Sequence, residues 1–361
     1  MSDFLEAGLR QIHGYGNALF GEFWEVSWLM FRLCVVLFAV LTLATFLTYW
    51  ERRLVAWMHV RVGPNRTGPA GLLQPVADGI KLLLKEIIVP TGADKKLFYL
   101  APVICVAPAL AAWAVIPFGA DMALAPVNAG VLFLLAITSI GVYGVIVAGW
   151  ASNSAYALLG AMRAAAQMVS FGIPMGLIVA TVLMISGSPD LSDIVRAQDR
   201  GLFAGMGLGC LSWNWLPLLP LCVIFIACSM AETARHPFDA VEGESEIVAG
   251  HMVEYSGMAF ALFFLAEYAN MTLLSAVTVL FFFGGWLPPV DLAILHAVPG
   301  WMWLGIKTLL LVCLFIWVRA TFPRYRYDHT MRLGWKVFLP VTLGYFVLIA
   351  CWMQTPWNIW H

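Results

Sequence analysis

The sequence predicts an all-α polytopic membrane protein of about eight transmembrane helices, with an amphipathic interfacial helix in its first inner loop. Three observations carry that expectation. Hydrophobic residues make up 61% of the 361 and charged residues only 11%, where a soluble domain carries about 25% charged residues. The mean hydropathy is +0.85. Apolar runs long enough to cross a bilayer, roughly 20 residues each, recur along the whole length.

Those runs place spans at about 28–50, 97–118, 130–150, 163–186, 215–232, 254–284, 300–320 and 337–355. Basic residues test the alternation, because Lys and Arg concentrate on the inner side of a membrane. Loop 51–96 holds eight of them, Arg163 and Arg235 mark the next two odd-numbered loops, and Arg319, Arg324, Arg326, Arg332 and Lys336 mark the last, 15 in all. The even-numbered side has Arg10, Arg196 and Arg200, while Arg32 and Lys307 fall inside spans. The expectation is one membrane domain over 1–361 with both termini outside and the odd loops inside. No cleavable signal peptide is expected, since the first 28 residues contain four acids and one Arg.

Two inner connections are more than turns. Loop 51–96 turns at Gly63-Pro64-Asn65 and Gly68-Pro69, then continues as QPVADGIKLLLKEIIVP. There Asp78, Lys81 and Lys85 share one helical face and Ile80, Leu82 and Leu83 the other, the pattern of an interfacial amphipathic helix. The connection 233–253 is acidic: Glu232, Asp239, Glu242, Glu244, Glu246 and Glu254 stand in or beside it against a single Arg235. Pro237 and Gly243 break any helix in it. With Arg52, Arg53, Arg61 and Arg66 on the same side, it suits either a polar headgroup site or a docking surface for another protein.

Glu267, well inside the sixth apolar run, is the residue that points to chemistry. An ionisable group near mid-bilayer costs about 2.5–3.5 kcal/mol or more, and such groups are rare outside functional sites. It reads as a proton-relay group or as a neutral acid bonded to a neighbouring helix. Glu254, 13 positions earlier, would lie ~20 Å away on a straight helix, so a relay between them needs water or other carboxylates, with Glu232 as an intermediate. Arg32 and Lys307, near span ends, are read as snorkelling. The seven cysteines form no CxxC pair and mostly fall in apolar runs, where they read as small hydrophobes. No iron–sulfur or zinc site, P-loop, HExxH or nucleotide-binding glycine motif is found.

Four stretches are specific enough to name a family: ERRLVAWMHVRVGPNRTGPAGLLQPVADGIKLLLKE (51–86), GWASNSAYALLGAMRAAAQMVS (149–170), AETARHPFDAVEGESEIVAGHMVEYSGMAFALFFLAEY (231–268) and RATFPRYRYD (319–328). Taken in order along nearly the whole chain, they resemble the quinone-chamber membrane subunit of respiratory complex I, the H-subunit family of bacterial NADH:quinone oxidoreductase. The resemblance implies eight core helices and a chamber that admits ubiquinone or menaquinone from the bilayer. It implies chamber roles for Glu51, Arg52, Arg61, Arg235, Phe238, Asp239, Glu242, Glu244 and Glu246, and a proton path through Asp78, Glu232, Glu254, Glu267 and Tyr268. It implies no flavin, iron–sulfur cluster or metal in this chain and no nucleic acid. The partners implied are the hydrophilic-arm quinone-site and terminal iron–sulfur subunits, the small membrane-arm subunits, lipids and quinone. The setting implied is the bacterial inner membrane, a mitochondrial one being the lesser alternative.

Three departures from the family pattern stand out. Ser170-Phe171-Gly172 replaces the usual Ser-Tyr-Glu, and the Gly172-xxx-Gly176 spacing it creates suits close helix contact. His59 stands for a usual Gln, and His329-Thr330 for Gln-Leu. Two other functions stay open. The equivalent scaffold of a membrane-bound hydrogenase or ferredoxin-driven relative is one, set against the full loop-1 arginine motif and EGESE. A self-sufficient secondary transporter is the other, set against the absence of inverted-repeat similarity.

Overall fold

The computed structural model describes residues 14, 22–120, 122–200, 209–239, 241, 243–291, 295 and 298–355, and of 22, 200, 244 and 245 the backbone alone. Among the described residues the secondary structure is helical, without strands. That is the outcome a bilayer imposes, because a helix satisfies its own backbone polar groups. The principal helices are α1 (Glu22–Met58), α2 (Gln74–Leu84), α3 (Lys95–Ala111), α4 (Gly130–Ala151), α5 (Ala155–Ser186), α6 (Leu191–Ala197), α7 (Leu219–Glu232), α8 (Gly257–Phe282), α9 (Gly300–Thr321), α10 (Tyr327–Leu333) and α11 (Leu339–Met353). Among the described residues, seven helical stretches are long and apolar enough to span a membrane, α10 and α11 counting as one through a π-turn at Gly334–Phe338.

The remaining expected span, 215–232, is the short helix α7, 14 residues long. It covers only about 21 Å. Pro220 sits in its first turn, where the missing N–H costs nothing. The chain before it is tied down by Asn214 Nδ2 and the Trp215 N–H, which donate to Phe281 and Phe282 carbonyls at the end of α8.

Helix α8 is the hub, packing against α1, α2, α3, α7 and α9. Within its apolar window 61% of the residues are buried, against 11% in that of α1. A lone pass through lipid would not need such burial, so α8 is the helix able to carry charge inside the bundle. Helix α1 runs past its expected end to Met58, so Glu51, Arg52 and Arg53 project from helix rather than loop. Likewise α5 begins at Ala155 and carries Arg163, which the sequence places in a loop. Helix α8 begins at Gly257, leaving Glu254 in the turn before it, so Glu254 and Glu267 do not share a helix.

Loop contacts divide into two ends of the bundle. At one end the odd-numbered connections meet: Arg52 with Asp78, the Asp94 N–H with the Ala151 carbonyl, and the Tyr325 N–H with the Pro237 carbonyl. At the other end Arg32 donates to Ala123 O and Arg196 to Ala120 O. Lys307 donates to the carbonyls of Phe283, Gly285 and Leu287 at 2.7–2.9 Å and lies 3.9 Å from the Trp213 ring centroid. Arg32 and Lys307 therefore tie down loop backbone instead of snorkelling. Among the described residues of this chain the Gly172-xxx-Gly176 pair makes no close helix contact either: a Cβ at either position would meet nothing there within 4 Å.

Candidate functional site

The end of α7 aims the central cation. After Glu232, Ala234 takes a left-handed conformation (φ 50°), and the Arg235 N–H returns to the Met230 carbonyl at 3.0 Å, the closure that commonly ends a helix. The acidic connection is then pinned to α5 by Gln167, fully buried, whose amide donates to Ala231 O at 2.8 Å and Phe238 O at 2.7 Å. Arg235 is thereby turned into the bundle, where it is 6% exposed.

Three elements bring carboxylates and a phenol to it. Glu51 of α1 accepts from Arg235 Nη1 through both oxygens, at 3.2 and 3.1 Å, and from Tyr268 Oη of α8 at 2.8 Å. Glu267 of α8 places Oε1 2.6 Å from Arg235 Nε. The guanidinium carbon stands 4.3 Å from the Tyr268 ring centroid. Arg319, from the end of α9, also donates to Glu51. Burial works against the charge of Arg235, but Glu267 and Glu51 outweigh it and hold the guanidinium protonated well above its ordinary range. Breaking such a cluster leaves an uncompensated buried charge, which costs about 3–5 kcal/mol.

A second ion-paired layer fixes the acidic connection. Asp239, 4% exposed, accepts from Arg324 Nη2 at 2.6 Å, and His236 Nδ1 lies 3.3 Å away. Burial, joined by Arg324, Arg319 and Arg235, holds the His236 imidazole below its ordinary value despite Asp239. Glu246 pairs with Arg163 at 2.5 Å. Phe238 packs between Phe171 (5.4 Å) and Tyr325 (5.8 Å).

Two cavities flank the Arg235 cluster. One, of about 410 Å³, is lined by Glu51, Arg52, Arg61 and Arg319 with apolar Val55 and Val62. The other, of about 90 Å³, lies among α3, α4, α5, α7 and α8 and reaches Glu232, Glu267, Asn270, Thr138 and His251.

The sequence-derived residues thus separate by place. Glu51, Arg52 and Arg61 share the larger cavity, and Arg235 joins them through Glu51. Phe238, Asp239 and Glu246 belong to the layer that anchors the acidic connection. Glu242 and the side chain of Glu244 lie outside the described residues. Glu232 and Glu267 share the smaller cavity, and Tyr268 bonds Glu51. Asp78 pairs with Arg52 and Lys81 at the inner end, and the half-buried Glu254 borders neither cavity. Arg319, Arg324, Gln167 and His251 are absent from that set. Gln167 and His251 carried a signal, each a lone polar side chain among small or apolar neighbours; Arg319 and Arg324 were legible only as topology charges.

A helical bundle spanning the membrane, with buried carboxylates clasping one arginine between two cavities, defines a polytopic membrane subunit with titratable groups in its interior. The chain belongs to the NADH dehydrogenase family, whose model matches residues 31–350. It is similar to the H subunit of NADH-quinone oxidoreductase from Janthinobacterium sp. (strain Marseille), 62% identical over 350 residues covering 97% of this chain and 98% of the relative. The H subunit from Bordetella avium (strain 197N) is 61% identical, covering 98% and 99%, and that from Methylibium petroleiphilum (strain ATCC BAA-1232 / LMG 22953 / PM1) 58%, covering 98% and 99%. The chain is accordingly a multi-pass inner-membrane subunit of complex I, as the sequence resemblance implied.

Proposed function

We propose that this chain forms the quinone-access chamber of its NADH:quinone oxidoreductase and passes the effect of quinone reduction to a proton path through the membrane. The observation that carries this reading is the sharing of Arg235 between Glu51, on the wall of the larger cavity, and Glu267, on the wall of the smaller. A headgroup gaining electrons and protons needs titratable and charged groups nearby, and Glu51, Arg52, Arg61 and Arg319 supply them. An isoprenoid tail needs apolar wall, which Val55, Ala56 and Val62 begin.

Coupling is electrostatic. A change of charge in the larger cavity alters the hold of Glu51 on Arg235, and Arg235 then alters its hold on Glu267. In a buried site such shifts are screened far less than in water. Glu267 and Glu232 pass protons through the smaller cavity, while electrons come from partner subunits of the hydrophilic arm. Both termini lie on the periplasmic side, the orientation the basic odd-numbered loops favour. The relatives' common name weighs against the hydrogenase-type scaffold.

Replacing Arg61 with Ala in the assembled complex tests the reading. Quinone reductase activity is expected to fall at least ~10-fold, as for loss of a charge-assisted contact worth about 1.5–3 kcal/mol, while NADH oxidation by an artificial acceptor survives. Normal quinone turnover in that variant contradicts it.

A further inference from the structure

The smaller cavity contains an imidazole that neither the chamber nor the carboxylates account for. His251 is 4% exposed and follows Gly250, whose positive φ of 55° and close approach (an added Cβ would sit 2.1 Å from the Val241 carbonyl oxygen) fix the turn. One face of the ring is held edge-on by Phe263 of α8 at 5.3 Å. Among the described residues neither Nδ1 nor Nε2 has a protein partner, and Glu232 Oε2 is in the same position. Buried polar atoms are nearly always hydrogen-bonded, to protein or to water. A water molecule needs about 10–15 Å³ of space and two or more polar partners. The cavity, about 90 Å³ and lined by His251, Glu232, Glu267, Asn270 and Thr138, meets both conditions for several molecules.

We propose that His251 is a proton-relay station that connects Glu232 to Glu267 through water in this cavity. The inference rests on the proton-path reading of those two carboxylates. The titratable groups that line the cavity with the ring are Glu232 of α7, Glu267 of α8 and Cys105 of α3; α4 and α5 contribute Thr138 and apolar side chains, and Arg235 pairs with Glu267. A neutral imidazole can accept a proton at its bare nitrogen from bridging water while the opposite N–H gives its own to water on the far side. One N–H bond forms as the other breaks, so the ring ends neutral as the other tautomer, and a ring flip resets it. Burial keeps the ring neutral between transfers, with its pKa pushed down to about 4. Two nitrogens without fixed partners are what such exchange requires, whereas a structural histidine would have at least one committed.

The test uses the assembled complex in proteoliposomes, normalised to NADH oxidation by an artificial acceptor. Both His251→Phe, which keeps a ring, and His251→Gln, which keeps hydrogen bonding, are expected to slow NADH-driven proton translocation by about tenfold or more, since proton transfer by a positioned side chain typically contributes 10²–10⁴-fold. Wild-type pumping in either variant overturns the inference. Infrared difference spectra of wild-type complex with ¹³C-labelled histidine give a readout that a structural role would not move. A turnover-dependent imidazole band is expected, and its absence overturns the inference even where both variants fail to assemble. Glu267→Gln separates the two levels: if it abolishes pumping while the His251 variants pump normally, the path stands without His251. If it pumps normally, the path reading fails and the inference with it.

Discussion

Arg235 Nε lies 2.6 Å from Glu267 Oε1, with the two side chains 7% and 17% exposed. The same guanidinium holds Glu51 through Nη1. Replacing Arg235 with Ala strands the buried Glu267 and leaves Glu51 to Arg319 and Tyr268, at a cost of about 3–5 kcal/mol. The expected result is loss of most assembled complex, read as membrane-bound artificial-acceptor activity. Arg235→Lys keeps the charge but cannot reach both carboxylates from a planar fork, so it is expected to assemble and to lose quinone turnover.

Tyr268 is the gentler probe of the same cluster. Its hydroxyl donates to Glu51 at 2.8 Å. Tyr268→Phe removes that bond and keeps the ring over Arg235, so a loss of about 1.5–3 kcal/mol, or roughly 10–100-fold, is expected in quinone turnover. Steady-state quinone reductase assays check it, with a normal yield of complex.

Gly250 offers a steric test of the acidic connection. A Cβ there would stand 2.1 Å from the Val241 carbonyl oxygen, at a φ of 55° that disfavours L side chains. Gly250→Ala is expected to displace the 241–252 backbone and lower the melting temperature of the complex by several degrees, measured by thermal inactivation. Gly172→Glu is the contrasting case. Its Cβ meets open space, so the variant is expected to assemble at the wild-type level despite adding a carboxylate.

His251 makes stability depend on pH. Its folded-state pKa is lowered to about 4 from the ordinary 6.5, so below pH 6.5 the unfolded chain binds the proton more readily than the folded one. The stability present above pH 6.5 is therefore lost progressively as pH falls to about 4, by up to about 3 kcal/mol at 1.36 kcal/mol per unit. Thermal inactivation profiles are expected to fall with pH across that window for wild type and to be flatter for His251→Phe.

Much of this architecture was legible beforehand, for a physical reason. Long apolar runs and the bias of Lys and Arg towards odd-numbered loops constrain a membrane bundle directly, and the loop contacts gather at two ends as that bias implied. Helix ends were not legible, because Glu51 to Arg53 are polar yet remain helical, held by Arg235, Asp78 and the Ala70 carbonyl. Glu267 announced itself as a charge in an oily run. Its partner did not: Arg235 is 32 positions away, and only the left-handed turn at Ala234 swings it back into the bundle. The sequence pointed to Glu232 as the intermediate nearest Glu267 and to Glu254 further off on the same path, yet Glu254 lies apart from both cavities while Glu51, assigned to the chamber, shares its cation. Long-range pairing of this kind leaves no periodic trace.

The central claim is that Glu51 and Glu267 act as one unit through Arg235. A double-mutant cycle with Glu51→Gln, Glu267→Gln and the double variant, read as the rate constant of quinone-driven proton translocation, tests it most directly. A coupling of about 1 kcal/mol or more, roughly a fivefold departure from additivity, is expected. Additive effects, within about 0.5 kcal/mol as for independent sites, would contradict it.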